Sequence, residues 1–146
     1  RPELVSSLDL VPTMLAAAGA EIPSDLPGLN LLPALETGAA IDRDTIFGEG
    51  FAHDIADIND PEASLLYRWC IQGKWKLLLT YDGEVNRYAS SHPRDEKRPQ
   101  LFDLLADPRE ETNLAAEHPE VVAALAKQIE SWYPVEKRQV ITTFAN

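Results

Sequence analysis

At 146 residues the chain fits one domain, or a small domain with a piece of another, and is long enough to bury most of the apolar surface of a compact fold. Acidic residues outnumber basic ones by 24 to 13, and the net charge of −11 repels phosphate backbones and anionic lipid, so neither nucleic acid nor a membrane is expected as a partner. The 45% hydrophobic fraction, with three Trp, four Tyr and four Phe, excludes a disordered chain.

Cys70 is the only cysteine, which excludes an internal disulfide and any multi-cysteine zinc site. No apolar run approaches the roughly 20 residues of a membrane span. The start Arg1-Pro2-Glu3 lacks the basic and then apolar regions of a signal peptide, and with no starting Met it reads as mid-protein.

In chain order, Leu10, Val11, Met14, Leu15 and Ala18 recur at helical spacing, with Asp9 placed to cap the start and Gly19 to stop the helix. Pro12 falls in the first turn, where its missing N–H costs little. A loop with Pro23, Pro27 and Gly28 leads to a short apolar turn around Leu31, Leu32 and Leu35. Nothing in this stretch can bury its own apolar face, so Leu10, Met14 and Leu15 predict self-association of the isolated chain or local disorder before residue ~44.

Thr45 to Gly50 predicts a strand, and Phe51 to Ala63 a polar loop carrying His53, Asp54, Asp57 and Asp60. Leu65, Tyr67, Trp69 and Ile71 alternate with Leu66, Arg68, Cys70 and Gln72, and after Gly73 the period resumes through Trp75, Leu77, Leu79 and Tyr81. That is a β-hairpin. Asp82-Gly83 marks a turn, residues 86 to 99 a charged loop, and Gln100 to Leu104 a further strand. Beyond Asp107-Pro108 a helix begins near Pro119, with Val122, Leu125, Ile129 and Trp132 on one stripe, and ends at Pro134. The expected class is α+β: a small antiparallel β-sheet packed against a C-terminal helix, preceded by a helix and loop. Trp75, Leu77, Leu125, Ile129 and Trp132 are its expected core, with Trp69 also joining sheet to helix.

Three segments, in order, resemble the sulfatase family. The first is Asp9-Leu10-Val11-Pro12-Thr13-Met14-Leu15, continuing through Ala18-Gly19 to Pro27-Gly28-Leu29-Asn30-Leu31. The second pairs Arg68-Trp69 with Gly73-Lys74-Trp75-Lys76-Leu77. The third is Leu101-Phe102-Asp103-Leu104 followed by Asp107-Pro108-Arg109-Glu110-Glu111-Thr112-Asn113-Leu114. Their shared order makes the resemblance specific.

The resemblance implies a formylglycine-dependent, arylsulfatase-like parent, with residues 1–44 the tail end of its α/β domain and residues 45–146 its C-terminal subdomain. In that family a Cys or Ser within a C-x-P-S-R-like motif becomes formylglycine beside a calcium ion. Here Cys70 is followed by Ile71, Gln72 and Gly73, and Ser91-His92-Pro93-Arg94 carries its Arg one position early and reads as coincidence. No catalytic residue and no metal ligand is therefore expected in this chain. Calcium and formylglycine are expected in the missing N-terminal domain, which is then the partner together with a sulfated substrate. The expected function is that of a C-terminal sulfatase fragment, a piece of a sulfuric ester hydrolase, inactive alone. It would contribute structure and the rim of the substrate cleft, in a parent that is periplasmic or extracellular.

A sulfate ester is an anion, so contact with it needs local positive charge against an acidic background. His53 and Arg68 are the candidates for substrate binding, at a loop and a strand that could line the rim. The bland reading makes His53 a backbone cap and Arg68 a water-facing strand residue. His53, Asp54 and Asp57 also invite a metal reading, but a solvated turn is the commoner meaning of such a loop. Lys74 and Lys76 read as solvent-facing strand-end charges, and Asp107 to Leu114 as turn structure. The rival from another class is a non-catalytic binding or interaction module. A small independent enzyme built on His53 is weaker, because no activated nucleophile stands at a recognisable spacing.

Overall fold

The computed structural model describes residues 3–51, 57–80 and 98–135. They divide into two compact units, Arg1–Ile46 and Phe47–Asn146. The predicted α+β class and its order of elements are what the chain adopts.

In the first unit a 3-10 turn, Ser7–Asp9, runs into helix α1, Leu10–Ala17. Ser6 caps the turn: its hydroxyl accepts from the Leu8 amide, while its own amide donates to the Asp9 carboxylate at 2.7 Å. Asp9 is thus the third residue of a capping box, and its side chain does not cap α1 as expected. Pro12 sits in the first turn of α1 and is buried. The apolar turn expected around Leu31 to Leu35 is a helix, α2, Leu32–Thr37, with Pro33 in its first turn and Gly38 in the left-handed conformation closing it.

The second unit holds, from Phe47 onward, a sheet in the order β1-β2-β3-β4, whose strands are Thr45–Phe51, Leu65–Gln72, Trp75–Thr80 and Gln100–Asp103. A 3-10 turn, Pro61–Ser64, enters β2. The β2–β3 and β3–β4 pairs are antiparallel, and the hairpin turns at Gly73, whose φ of 57° suits glycine. Pairing sets Cys70 opposite Leu77, and Leu77 opposite Leu101. Helix α3, Pro119–Trp132, packs against β2 and β3 through Leu125 and Ile129. The core is therefore Cys70, Leu77, Leu101, Leu125 and Ile129, ringed by half-buried Phe47, Trp75, Leu79, Val121 and Val122.

The aromatic residues divide differently from the expectation. Trp75 does pack on the core, and Trp132 stacks on Phe47 at 5.2 Å between ring centroids while remaining 41% exposed. Trp69 lies on the other face of the sheet, with Gly48 directly beneath its ring, as Gly50 lies beneath Tyr67. A Cβ at Gly48 would fall 2.4 Å from the Trp69 side chain. Glycine in β1 thus makes room for aromatic rings from β2, and the helix takes the face carrying Arg68 and Cys70.

Candidate functional site

Of the two candidate substrate contacts, His53 lies outside the described residues, as does Asp54 of the metal reading. The described end of that loop is a local turn, in which Asp57 accepts the Asn59 amide at 2.8 Å on its side chain and the Asp60 amide at 3.2 Å on its carbonyl.

Arg68 is 3% exposed. Period two places it beside Leu66 and Cys70 on the helix-covered face, so its guanidinium turns inward and not to water. It donates to Glu130 at 2.8 Å and to the Tyr133 carbonyl, and Glu130 accepts the Val135 amide with its other oxygen at 3.2 Å. Burial raises the Glu130 pKa, but the Arg68 hydrogen bond, the Val135 amide and the Arg68 charge prevail and hold it below the usual carboxylate range. The group fastens the end of α3 to β2, where unused helix carbonyls favour a cation.

The two lysines are also engaged and do not simply face solvent. Lys74 pairs with Asp103 at 2.6 Å and lies 4.5 Å from the centre of the Trp75 ring. Lys76 pairs with Glu110 at 2.5 Å and sits 5.7 Å from the Trp69 ring. Hydrogen bonding from Lys74 lowers the Asp103 pKa most, with the amides of Ala106 and Leu105 adding to it. Asp103 thereby ties the hairpin turn to the turn after β4.

The most family-like segment continues from there. The Asp107 carboxylate accepts the Thr112 amide at 2.8 Å, and Glu110 takes a left-handed φ of 58° within that loop. The Asn113 side-chain oxygen accepts the amides of Leu101 and Ala115, both at 3.0 Å, and its amide group donates to the Pro99 carbonyl. Leu114 then donates to the Leu101 carbonyl at 2.8 Å. Asn113 serves as a short extra piece of strand beside β4, using a side chain where a backbone would be needed.

In the first unit the family-like residues form a clasp. Asp9 has no exposed surface, and its carboxylate accepts the Ser6 amide, the Leu29 amide at 2.8 Å, and both terminal nitrogens of Arg43 at 2.5 and 2.7 Å. One turn on, Thr13 donates to the Asp9 carbonyl at 2.6 Å and accepts the Leu31 amide at 2.9 Å. Asp9 and Thr13 thus pin alternate amides of one loop to one face of the helix. Gly28 allows the approach: its φ is 98°, and a Cβ there would sit 2.3 Å from the Leu8 carbonyl oxygen. The Arg43 hydrogen bond lowers the Asp9 pKa to about 2, against the opposing effect of burial. Sequence reading missed Arg43. Its one signal is that no other Lys or Arg occurs between residues 3 and 46.

Beside this clasp Leu29, Leu31, Pro33, Ala34, Ala40 and Ile41 line a small, mostly apolar hollow. It contains no acid–base pair or nucleophile. Cys70 does not fit a formylglycine precursor, for it is wholly buried in the core and burial pushes its thiol up to about 11. Among the described residues no three His, Cys, Asp or Glu side chains converge as a metal site. Asp9 and Asp103, the buried carboxylates, are both turned to cations of the chain itself.

No family model matches the chain. Its relatives do define a class: it is a relative of the sulfatases, with the α+β fold that sulfatase structures share. Rat (Rattus norvegicus) arylsulfatase K is 33% identical over 132 residues, which is 89% of this chain and 21% of that protein. Human arylsulfatase A is 32% identical over 142 residues, covering 88% and 26% respectively. Among solved structures, BT4656, described in complex with its substrate D-glucosamine-2-N,6-O-disulfate, superposes with a TM-score of 0.59 at 25% identity over 85% of this chain and 23% of its own. The phosphonate monoester hydrolase of Agrobacterium radiobacter also gives 0.59, at 26% identity, covering 87% and 24%. The chain spans about a fifth of the length of the curated relatives it matches.

Proposed function

We propose that this chain is the C-terminal portion of a sulfate ester hydrolase, in which it acts as scaffold and leaves the sulfur chemistry to the rest of the polypeptide. One observation carries the reading: the polar residues that make the sequence sulfatase-like are spent on the fold. Asp9, Thr13, Asp103, Asp107 and Asn113 all bond backbone or paired cations within their own unit. Groups so committed cannot also attack sulfur or shuttle a proton without breaking the turn they hold. By the family resemblance, calcium and formylglycine would belong to the part of the enzyme outside this chain; among the described residues, Cys70 is buried in the core and no three His, Cys, Asp or Glu side chains converge.

Within this reading His53, which follows β1 in the sequence, is the residue offered to substrate, and Arg68 is a positioning residue that seats α3. The active full-length enzyme separates the two roles. His53→Ala is expected to lower kcat/KM for a sulfated oligosaccharide about tenfold while sparing a small aryl sulfate, because a peripheral contact stabilises only the larger ligand. Arg68→Ala is expected to lower the melting temperature and leave the ratio of the two substrates unchanged. Equal losses on both substrates for His53→Ala would remove it from the rim.

A further inference from the structure

Strand β1 ends at Phe51, two residues before His53, and two extended residues span at most about 7 Å. Whatever fixes the end of β1 therefore bounds where His53 can reach. The strand is poorly furnished to fix itself, because Gly48 and Gly50 fall within its last four residues and glycine gives up the most backbone freedom when a strand forms. Rings from elsewhere in the second unit supply the restraint. On one face Trp69 lies over Gly48 and Tyr67 over Gly50, and on the other Trp132 stacks on Phe47 at 5.2 Å between ring centroids.

Of these rings Tyr67 holds the last glycine before His53. A Cβ at Gly50 would fall 2.3 Å from its Cζ and 2.6 Å from its hydroxyl oxygen, so only glycine lets the strand come this close. Tyr67 is also the third residue of β2, just after the Pro61–Ser64 turn through which the chain returns to the sheet. One ring thus joins the strand that leaves toward His53 to the strand that comes back, and closes the ends of the intervening segment. We infer that Tyr67 is a positioning residue for substrate selection: its ring, laid on Gly50, sets the place from which His53 meets a sulfated oligosaccharide. The inference rests on the proposed function, which offers His53 to that substrate. A displacement on the order of 1 Å is enough to weaken such a contact. The ring does this work and the hydroxyl does not, so phenylalanine should preserve it.

The test uses the full-length protein and two substrates, a sulfated oligosaccharide and 4-nitrophenyl sulfate. Tyr67→Ala should raise KM for the oligosaccharide about fivefold while leaving kcat and the aryl sulfate unchanged, and Tyr67→Phe should match wild type. In a His53→Ala background Tyr67→Ala should add less than about twofold, because the residue it positions is gone. Gly50→Ala, which parts the same contact from the β1 side, should repeat the pattern, so the outcome does not hang on the folding of one variant. Hydrogen exchange of residues 46–51 should speed up roughly tenfold in both variants while residues 75–80 keep their protection, a readout that needs no turnover. Independent losses from Tyr67→Ala and His53→Ala, or equal losses on both substrates, overturn the role. So does unchanged exchange of residues 46–51 in both variants. If His53→Ala spares the oligosaccharide while exchange of residues 46–51 rises, the substrate reading of His53 has failed, and Tyr67 is a brace of the strand with no part in selection.

Discussion

The two units of this chain are built in opposite senses. The second buries aliphatic side chains, Leu77, Leu101, Leu125 and Ile129, and uses polar groups at its turns and helix ends. The first has at its centre a carboxylate, Asp9, that accepts four donors, while Leu8, Leu10, Val11 and Met14 face outward. Burial of each aliphatic side chain contributes roughly 1.5–3 kcal/mol, so the second unit has a driving force of its own. A buried ion pair roughly breaks even against its desolvation, so the first unit is specified in shape by its clasp without being strongly stabilised by it. The difference teaches that a family motif can mark where a fold needs polar geometry and not where chemistry happens.

The largest effect that sharpens this contrast is expected at Asp9. Asp9→Ala leaves the Arg43 guanidinium facing a buried void and the Leu29 amide without its acceptor, a loss on the order of 3–5 kcal/mol. Hydrogen exchange should show Leu29 and Leu31 deprotected while Leu77 and Leu101 keep their protection; loss of protection in both units would break the separation. Acid should do the same reversibly. The Asp9 pKa is lowered when folded, so its contribution is complete above the unfolded value of about 4 and disappears as pH falls toward about 2. Carboxylate-specific NMR titration of the folded chain checks that window, and a midpoint near 4 would contradict the pairing with Arg43.

The converse test is Ile129→Ala, which removes a fully buried side chain from the helix–sheet core and should cost roughly 2–5 kcal/mol in denaturant unfolding of the second unit. An effect below about half a kcal/mol would mean that the stripe on α3 does not carry the core. A smaller loss, about 1–3 kcal/mol, is expected for Gly48→Ala, because the new methyl meets the Trp69 ring and the ring must move. Trp69→Leu in the same background should recover part of it.

How much of this was legible follows from range. Periodicity located the β2–β3 hairpin, β4 and α3, because those signals are local and repeat every two or 3.6 residues. It placed Trp75 and Leu77 in the core with the helix, but it also assigned Trp69 there, whereas that ring lies on the other face, over Gly48 of another strand. Arg68 was misjudged as water-facing for the same reason, since its partners Glu130 and Tyr133 lie more than 60 residues away. The clasp was half legible. Asp9 and Thr13 stood out in the motif, but Arg43 lies 34 residues on in a loop without periodicity. The family was legible as a resemblance carried by three ordered segments, and the residues after Cys70 as a departure from the formylglycine motif.

The central claim, that these residues build a scaffold and perform no sulfur chemistry, is tested most directly by turnover of the purified 146-residue chain. Incubated with 4-nitrophenyl sulfate and calcium, it is predicted to release no 4-nitrophenol above the buffer rate. Calcium-dependent release that copurifies with the chain, and that vanishes when a single residue such as His53 is replaced, would contradict the account.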